Sequence, residues 1–327
     1  MTDSKQAWEM AWQWLCRCRR NAPPDADIWH LWFHRGRDDA ALYQQVTEGR
    51  YRLSPMQIIH KRTEKNAVAQ WCARDALVLK WVAFMVGDKL PVHEACVHVK
   101  GHQDGRASLA LIARSLKDGH RFVYRTDIRG YYRHIIKDQL FNRVSRYIAD
   151  TVLRDLIHQY LYYSVEYRGE IHTPVTGISR GCALSPLMGA TLLHYVDSHF
   201  HHTEGLHYVR YMDDFLFLSE RRWPVRRARK QLYDFFALGG FEHHPDKTQM
   251  GRVENGFDWL GVWITDKGAT GIAPRALEHH RVHRLRLEEQ SLRRGLTKEA
   301  AAERVQQYER RWNTWAASRM NACGLPE

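Results

Sequence analysis

Two adjacent carboxylates near the middle of the chain carry the clearest chemical signal in the sequence. Asp213 and Asp214 are flanked by apolar and aromatic residues, in the stretch 209–218 with the sequence VRYMDDFLFL. This pattern predicts two buried strands joined by a tight turn that carries both acids. Asp is a common turn residue, so a purely structural turn is one explanation. The other is a metal site, because Mg²⁺ ions that activate a hydroxyl and stabilise a leaving pyrophosphate need oxygen ligands beside a third carboxylate.

A candidate for the third carboxylate lies 86 positions before the pair. Residues 121–127 form a β-prone run, RFVYRTD, which ends in Asp127 and is followed by a glycine and two tyrosines. A strand that presents Asp127 beside the predicted hairpin would complete a two-metal site. The predicted centre therefore takes one acid from a strand and two from a neighbouring turn.

Three segments resemble the polymerase motifs of reverse transcriptases and occur in the order found in that family. DIRGYY at 127–132 resembles the first motif, GISRGCALSPL at 177–187 the second, and YMDD at 211–214 the third. The resemblance implies an α+β fold of the right-hand polymerase type, with fingers, a palm of antiparallel sheet plus helices, and a helical thumb. It also implies that two Mg²⁺ ions, with Mn²⁺ as a substitute, bind near the backbone carbonyl of Ile128. The implied catalytic and metal-binding acids are Asp127, Asp213 and Asp214.

The same resemblance suggests which residues bind the incoming nucleotide. Tyr132 matches the position of a steric gate that excludes a ribose 2′-hydroxyl and so selects deoxynucleotides; a core tyrosine is the alternative. Gly181 would let the backbone approach the base pair closely, and Arg180 stands where the family usually has glutamine. Basic residues in the fingers are expected to hold the triphosphate, unless they form a solvated hairpin tip, and these are Lys61, Arg62 and Lys65.

A lysine and a second hairpin complete the predicted site. Lys247 lies in a stretch that resembles the fourth motif and is expected to protonate the leaving pyrophosphate; a surface lysine is the alternative. Residues 256–262 resemble a hairpin that grips the primer end. Template and primer contacts are expected at Lys100, His102, Tyr211, Trp259, Leu260 and Gly261. For Lys100 and His102, in a glycine-punctuated loop, a structural role is equally compatible with the pattern.

The net charge and the cysteine content indicate which class of partner the protein binds and in which cellular compartment it works. A formal net charge of +12 among 327 residues favours a polyanionic partner. The six cysteines show no C-x-x-C pair or zinc spacing, which favours free thiols in a reducing cytoplasm. No apolar run approaches the ~18 residues of a membrane span. We expect a cytoplasmic protein that binds RNA and no membrane.

Four regions are predicted along the chain. These are a helical extension at 1–50, fingers at 51–126, a palm with an interleaved fingers segment at 127–255, and a primer-grip hairpin with helical thumb at 256–327. Apolar periodicity predicts helices over 6–20, 71–82, 106–116, 137–165, 187–199, 224–236 and 276–322. The helix at 224–236 is strongly basic, which fits either a solvated face or phosphate contacts.

The favoured function is that of a bacterial reverse transcriptase similar to group II intron-like, defence-associated enzymes. Such an enzyme would copy a small non-coding RNA into DNA from dNTPs, in anti-phage defence. Three alternatives stay open: a retron-type enzyme, a template-independent DNA polymerase, and a non-catalytic RNA-binding protein with a polymerase fold.

Overall fold

The computed structural model describes residues 3–59, 68–99 and 105–323. Its helices are α1 Ser4–Arg19, α2 Asp27–Phe33, α3 Arg35–Thr47, α4 Ala73–Val86, α5 Gly105–Lys117, α6 Tyr131–His134, α7 Lys137–Val144, α8 Thr151–Leu161, α9 Ser185–Leu192, α10 His194–His201, α11 Arg222–Gly239, α12 Pro274–Arg293 and α13 Lys298–Cys323. Its strands are β1 Met56–Ile59, β2 Val68–Gln70, β3 Phe122–Asp127, β4 Val165–Tyr167, β5 Glu170–His172, β6 His207–Tyr211, β7 Asp214–Ser219, β8 Gln249–Arg252, β9 Phe257–Trp259, β10 Val262–Thr265 and β11 Gly268–Ile272. Short 3₁₀ helices occupy Pro245–Lys247 and Val253–Asn255.

The chain forms two compact units, each assembled from separated segments. The first comprises Met1–His93, Gly130–Tyr195 and Gly239–Phe241. The second comprises Glu94–Arg129, Val196–Leu238 and Glu242–Glu327. The predicted division into four regions stays a prediction.

The first unit combines helices with a small mixed sheet of order β2-β1-β4-β5. Helix α1 forms because apolar residues recur every three or four positions, and its buried face consists of Ala7, Trp8, Ala11, Trp12 and Leu15. Strands β1 and β4 pair in parallel, whereas β4 and β5 form an antiparallel hairpin. Arg168 and Gly169 at its turn have positive φ values of 55° and 84°, as a two-residue hairpin loop requires.

The second unit is built on an antiparallel sheet of order β6-β7-β3-β8. Because side chains alternate across a strand, Tyr124 and Phe217 stack at 5.4 Å on one face, whereas Val123 and Leu218 belong to the core on the other. Helix α11 covers the first face with an apolar stripe of Val225, Ala228, Leu232 and Phe236. The core on the second face includes residues of α5 and of the three-stranded sheet β11-β10-β9.

Three predicted helices are each interrupted in the structure. The segment 137–165 divides because Asp150 caps α8, its side chain accepting a hydrogen bond from the Leu153 backbone N–H at 3.0 Å. The segment 187–199 divides at Leu193, between α9 and α10. The segment 276–322 divides after α12, where Gly295 adopts φ 78°, the left-handed conformation that ends many helices.

Two further properties concern thiols and membranes. Free thiols are found at Cys16, Cys18, Cys72, Cys96 and Cys182. Among the helices within the described ranges, none combines the length and apolar composition that crossing a bilayer requires.

Candidate active site

The three candidate aspartates lie at one end of the sheet in the second unit. Asp127 is the last residue of β3 and is the register partner of Asp214, the first residue of β7. Tyr211 pairs with Asp214, so the turn between β6 and β7 consists of Met212 and Asp213 alone. The expectation that the turn carries both acids is therefore wrong for Asp214, which belongs to the strand. Directly paired residues of antiparallel strands share a face, with Cβ atoms about 4.5–5.5 Å apart.

The turn is backbone-strained and tied down by hydrogen bonds. Met212 has a φ of 57°, a left-handed conformation that costs a residue with a side chain roughly 1–2 kcal/mol. Its N–H donates to Nδ1 of His98 at 3.0 Å, and its carbonyl accepts from the Arg210 guanidinium at 2.6 Å. The Asp213 carbonyl accepts from the N–H of Ile128 at 3.1 Å. These bonds hold Asp213 close to the end of β3.

The arginine that supports the turn is itself held by a buried ion pair. Arg210 and Asp197 are both 0% exposed, and two hydrogen bonds of 2.7 and 2.5 Å join the guanidinium to the carboxylate. Asp197 also accepts from the Tyr208 hydroxyl at 2.7 Å. A buried pair with its hydrogen bonds satisfied fixes geometry, and removal of one partner costs about 3–5 kcal/mol. Arg210 thus positions the Met212 carbonyl rigidly.

Two cations contact the carboxylates. The Lys247 ammonium forms an ion pair with Oδ2 of Asp127, whose side chain is only 2% exposed. Arg125 bridges two acids, with distances of 3.2 Å to Asp214 Oδ1 and 3.3 Å to Asp258 Oδ2. Arg125 and Asp127 are two positions apart on β3, so both side chains lie on the same face of the sheet. In the site, the Asp127 and Asp214 carboxylates are therefore each paired with a cation.

Crowding of acids disfavours their charged forms. Burial, together with the charges of Asp127 and Asp214, raises the pKa of Asp213 to about 6. Burial also raises the pKa of Asp214, although the Arg125 guanidinium opposes this shift. Bound divalent cations would reverse the effect, because a nearby positive charge favours carboxylates over carboxylic acids.

The donor set fits hard divalent cations. Oδ1 of Asp127 is buried and makes no hydrogen bond to any residue that the structure describes. Such an orphaned carboxylate oxygen is costly unless a cation or a ligand satisfies it. Across residues 3–59, 68–99 and 105–323, no three acidic, histidine or cysteine side chains form a ready metal-binding group. The Lys247 ammonium and the Arg125 guanidinium instead contact the carboxylates, at Asp127 Oδ2 and Asp214 Oδ1.

The predicted primer-grip hairpin is present between β9 and β10. Leu260 and Gly261 have φ values of 51° and 85°, which suit a two-residue hairpin loop. Trp259 is 0% exposed and donates its indole N–H to the Ser108 hydroxyl at 3.1 Å. Full burial removes Trp259 from the candidate contact residues; its role is to anchor the hairpin. Leu260 and Gly261 remain partly exposed, as does Tyr211 beside the acids.

The other predicted nucleotide-binding residues fall in the first unit or outside the described residues. Tyr132 is half-buried in α6, and its carbonyl accepts from the N–H of Ile178 at 2.9 Å, which ties the first motif to the second. Arg180 and Gly181 follow on an exposed turn, where Gly181 has φ 77°. Outside the described residues lie Lys61, Arg62, Lys65, Lys100 and His102.

Several residues that support the turn and its arginines cannot be recognised from the sequence. His98, Asp197 and Asp258 hold the turn or its arginines, yet each is distant in sequence from the group it contacts. The one local signal was Arg125, a charged residue inside a strand that is otherwise buried on both sides. A buried charge requires a partner, and that requirement points to the acids nearby.

An antiparallel sheet that gathers three carboxylates at adjacent strand ends is the arrangement of a nucleotide polymerase palm. Residues 89–264, just over half of the chain, match the family model described as reverse transcriptase (RNA-dependent DNA polymerase). The chain belongs to the reverse transcriptase family.

Three known proteins of low sequence identity match parts of this chain in sequence or in fold. Over 163 residues, 48% of this chain and 19% of the relative, the sequence is 22% identical to a Saccharomyces cerevisiae protein described as a COX1/OXI3 intron 1 protein. The apo telomerase of Candida tropicalis matches with a TM-score of 0.51 and 12% identity, over 65% of this chain and 47% of that one. Candida albicans telomerase, in complex with a TWJ fragment of telomeric RNA, matches with a TM-score of 0.52 and 13% identity, over 72% and 49%. At these identities the structures show the shared fold.

Proposed function

We propose that this chain is an RNA-directed DNA polymerase that transfers nucleotides at the Asp127, Asp213 and Asp214 site. One observation carries the proposal: three carboxylates lie at the end of β3, in the turn after β6 and at the start of β7, and Asp127 has a buried, orphaned oxygen. This chain spans about half the length of the solved telomerases and 19% of the yeast intron protein. Its activity, substrates and partners are therefore proposals.

The cofactor proposed is a pair of Mg²⁺ ions, with Mn²⁺ as a substitute. The three aspartates, with the carbonyl of Ile128, would hold them, since carboxylate and carbonyl oxygens are the ligands these cations prefer. When bound, the two ions would activate a primer 3′-hydroxyl and stabilise the leaving pyrophosphate. The tethered turn fixes where Asp213 points, and such fixed positioning contributes most in phosphoryl transfer.

Lys247 is proposed to donate a proton to the leaving pyrophosphate. Its ammonium lies at the centre, paired with Asp127, and its side chain is 24% exposed. An ammonium beside the triphosphate can neutralise developing negative charge and release a proton to it. Lys61, Arg62 and Lys65 are proposed to hold the triphosphate, and Arg180 and Gly181 to contact the base pair. Tyr132 is proposed to exclude ribonucleotides, so that dNTPs are the substrates.

The template proposed is a non-coding RNA, in agreement with the basic charge of +12. Tyr211, Leu260 and Gly261 are proposed to contact the template and primer, as are Lys100 and His102. The likeness to an intron protein supports a group II intron-like enzyme. A cytoplasmic role in bacterial anti-phage defence completes the proposal.

Primer extension tests this proposal directly. The wild-type chain, with a short RNA template, a DNA primer, dNTPs and Mg²⁺, should extend the primer with the template's complement. Asp127→Asn and Asp213→Asn should each abolish extension and still bind the template. Asp234→Asn serves as the matched control, because it removes an exposed carboxylate on α11 and should extend normally.

Each other outcome identifies a different function. A wild-type chain that binds RNA but never extends a primer would be a non-catalytic RNA-binding protein. Product whose sequence ignores the template would indicate template-independent synthesis. Extension that persists in Asp213→Asn would contradict the assignment of the site.

A further inference from the structure

A second charged feature of the second unit lies away from the carboxylates. A groove of about 820 Å³ runs between helix α11 and the sheet, lined by residues of α11, β3 and the edge strand β8. Its lining, as far as the structure describes the chain, includes no acidic residue and five cations. These are Arg222, Arg226, Arg229, Lys230 and Arg252.

The groove lies on the opposite face of the sheet from the active site and extends to the far end of β3. Phe122 lines the groove at the start of β3, and Asp127 ends the same strand. Five residues at about 3.4 Å each separate their Cα atoms by roughly 17 Å. An odd number of steps along a strand also reverses the face, which places Phe122 with Tyr124 on the α11 side. The groove is therefore not part of the catalytic cleft.

The cations of the groove that lie on α11 are close to one another, and among the described residues no ion pair with an acid neutralises three of them. Arg222, Arg226 and Lys230 recur at intervals of four, so each adjacent pair repels on one helix face. In the part of the chain that the structure describes, none of the three forms an ion pair with an acid. The Arg252 pair with Glu254 is long, at 3.5 Å, and exposed. Unneutralised positive charge of this density favours an anionic ligand.

Two of the groove's arginines lie over aromatic rings. The Arg229 guanidinium lies 5.3 Å from the centroid of the Tyr233 ring, and that of Arg252 lies 5.7 Å from the Phe122 ring. Guanidinium groups are planar, so they can stack on bases and still direct N–H groups at phosphates. Cationic grooves with such stacking surfaces are typical of single-strand binding. A duplex keeps its bases stacked inside, so it offers no base faces for such stacking.

We infer that this groove binds a single-stranded segment of RNA, outside the polymerase cleft. The inference rests on the proposed function, because the RNA is the template, and it adds a second site that holds an unpaired stretch of that RNA. The phosphates contact Arg222, Arg226 and Lys230, while the bases stack against Arg229 and Arg252.

Binding measured with the polymerase cleft already filled tests the inference. The full-length chain is saturated with an unlabelled short RNA–DNA hybrid and titrated with a fluorescent oligouridylate of about 20 nucleotides, over about 50 to 200 mM salt. Arg226→Ala with Lys230→Ala should flatten the slope of log affinity against log salt by about 1.4, which makes the loss of affinity over that range about sevenfold smaller. The matched control, Arg221→Ala with Arg227→Ala, removes two exposed charges beside the groove and should change the slope by less than half as much.

The outcomes separate this inference from the proposed function. Hybrid extension by the groove variant should stay within about twofold of wild type, which also shows that the variant folds. An unchanged salt slope in the groove variant, an equal loss in the control, or equally good competition by double-stranded RNA would each overturn the inference. A wild-type chain that fails to extend primers would contradict the proposed polymerase instead, whatever the oligouridylate titration gives.

Discussion

Replacing Asp213 with asparagine should stabilise the metal-free protein while it abolishes polymerisation. Asp213 is crowded by Asp127 and Asp214, and its pKa is raised to about 6 from an ordinary 3.8. Its charged form is thus disfavoured in the folded state. Asparagine keeps the size of the side chain and removes the charge, and the backbone bond from Ile128 is unaffected because it uses the Asp213 carbonyl. Catalytic sites commonly carry such strain at a cost in stability.

The magnitude and its sign follow from the pKa. Each unit of difference between folded and unfolded states is worth about 1.4 kcal/mol, so a shift of about two units costs up to about 3 kcal/mol. Partial exposure of Asp213 reduces this to between about 1 and 3 kcal/mol. Below about pH 4 both states bind the proton and the carboxyl costs nothing. The cost grows as the pH rises from about 4 to about 6 and is complete above that.

Urea unfolding in EDTA measures the effect. The free energy of unfolding of Asp213→Asn should exceed that of wild type by about 1–3 kcal/mol near pH 8, and by about half as much near pH 5. Asp234→Asn, which removes an exposed acid, should differ little from wild type at either pH. Adding Mg²⁺ should stabilise wild type more than Asp213→Asn. A variant that is less stable than wild type at pH 8, or whose gain does not depend on pH, would refute the reasoning.

Substitutions at three further positions, two of them with a comparison variant, probe the proton donor, the arginine paired with Asp214 and the second hairpin. Lys247→Met should lower the single-turnover rate by about 10²–10⁴-fold, as loss of a general acid does. Lys247→Arg keeps the ion pair and should lose less. Equal rates for wild type and both variants would exclude the proton-donor role. Arg125→Gln removes the cation that opposes the raised pKa of Asp214, so the acid limb of the pH–rate profile should move to higher pH. If that limb stays where it is in wild type, the Arg125–Asp214 contact does not control the protonation of Asp214 during catalysis. Gly261→Ala forces a Cβ to within 2.9 Å of an indole ring at φ 85°, whereas Gly268→Ala at φ 90° meets nothing within 4 Å. Thermal unfolding should therefore show a larger loss for Gly261→Ala, by about 1 kcal/mol or more, and equal losses would assign the effect to backbone strain alone.

Much of this fold could be predicted from local patterns. Strand β7, beside the aspartates, is a continuous apolar run buried on both faces of the sheet, and α1 repeats apolar residues every three or four positions, so both elements are visible in the sequence. The interruptions of long helices were missed although their signals are local. Asp150 caps one new helix and Gly295 ends another, and both residue types are common at such positions.

The candidate site was only partly predictable, because its support comes from distant parts of the chain. The acids themselves carried a motif, whereas His98 and Asp197 reach the turn or its arginine from other elements. Sequence spacing contains no information about such pairings. The role of Trp259 was misjudged for a related reason: an aromatic residue in a hairpin can face either solvent or core, and only packing decides.

The carboxylates and the basic groove lie on one sheet, and they must be far enough apart for each to bind its own ligand. The carboxylates near Asp127 must attract cations, and the groove beside α11 must attract an anion, so each would weaken the other if they were adjacent. The groove's cations are exposed, and at its Phe122 end the groove lies roughly 17 Å from Asp127 along β3, beyond the screening length of about 8 Å that applies to exposed charges at physiological salt. Neutralising the groove should therefore leave the pH dependence of catalysis unchanged, and the two sites can act on one RNA without cancelling each other's field.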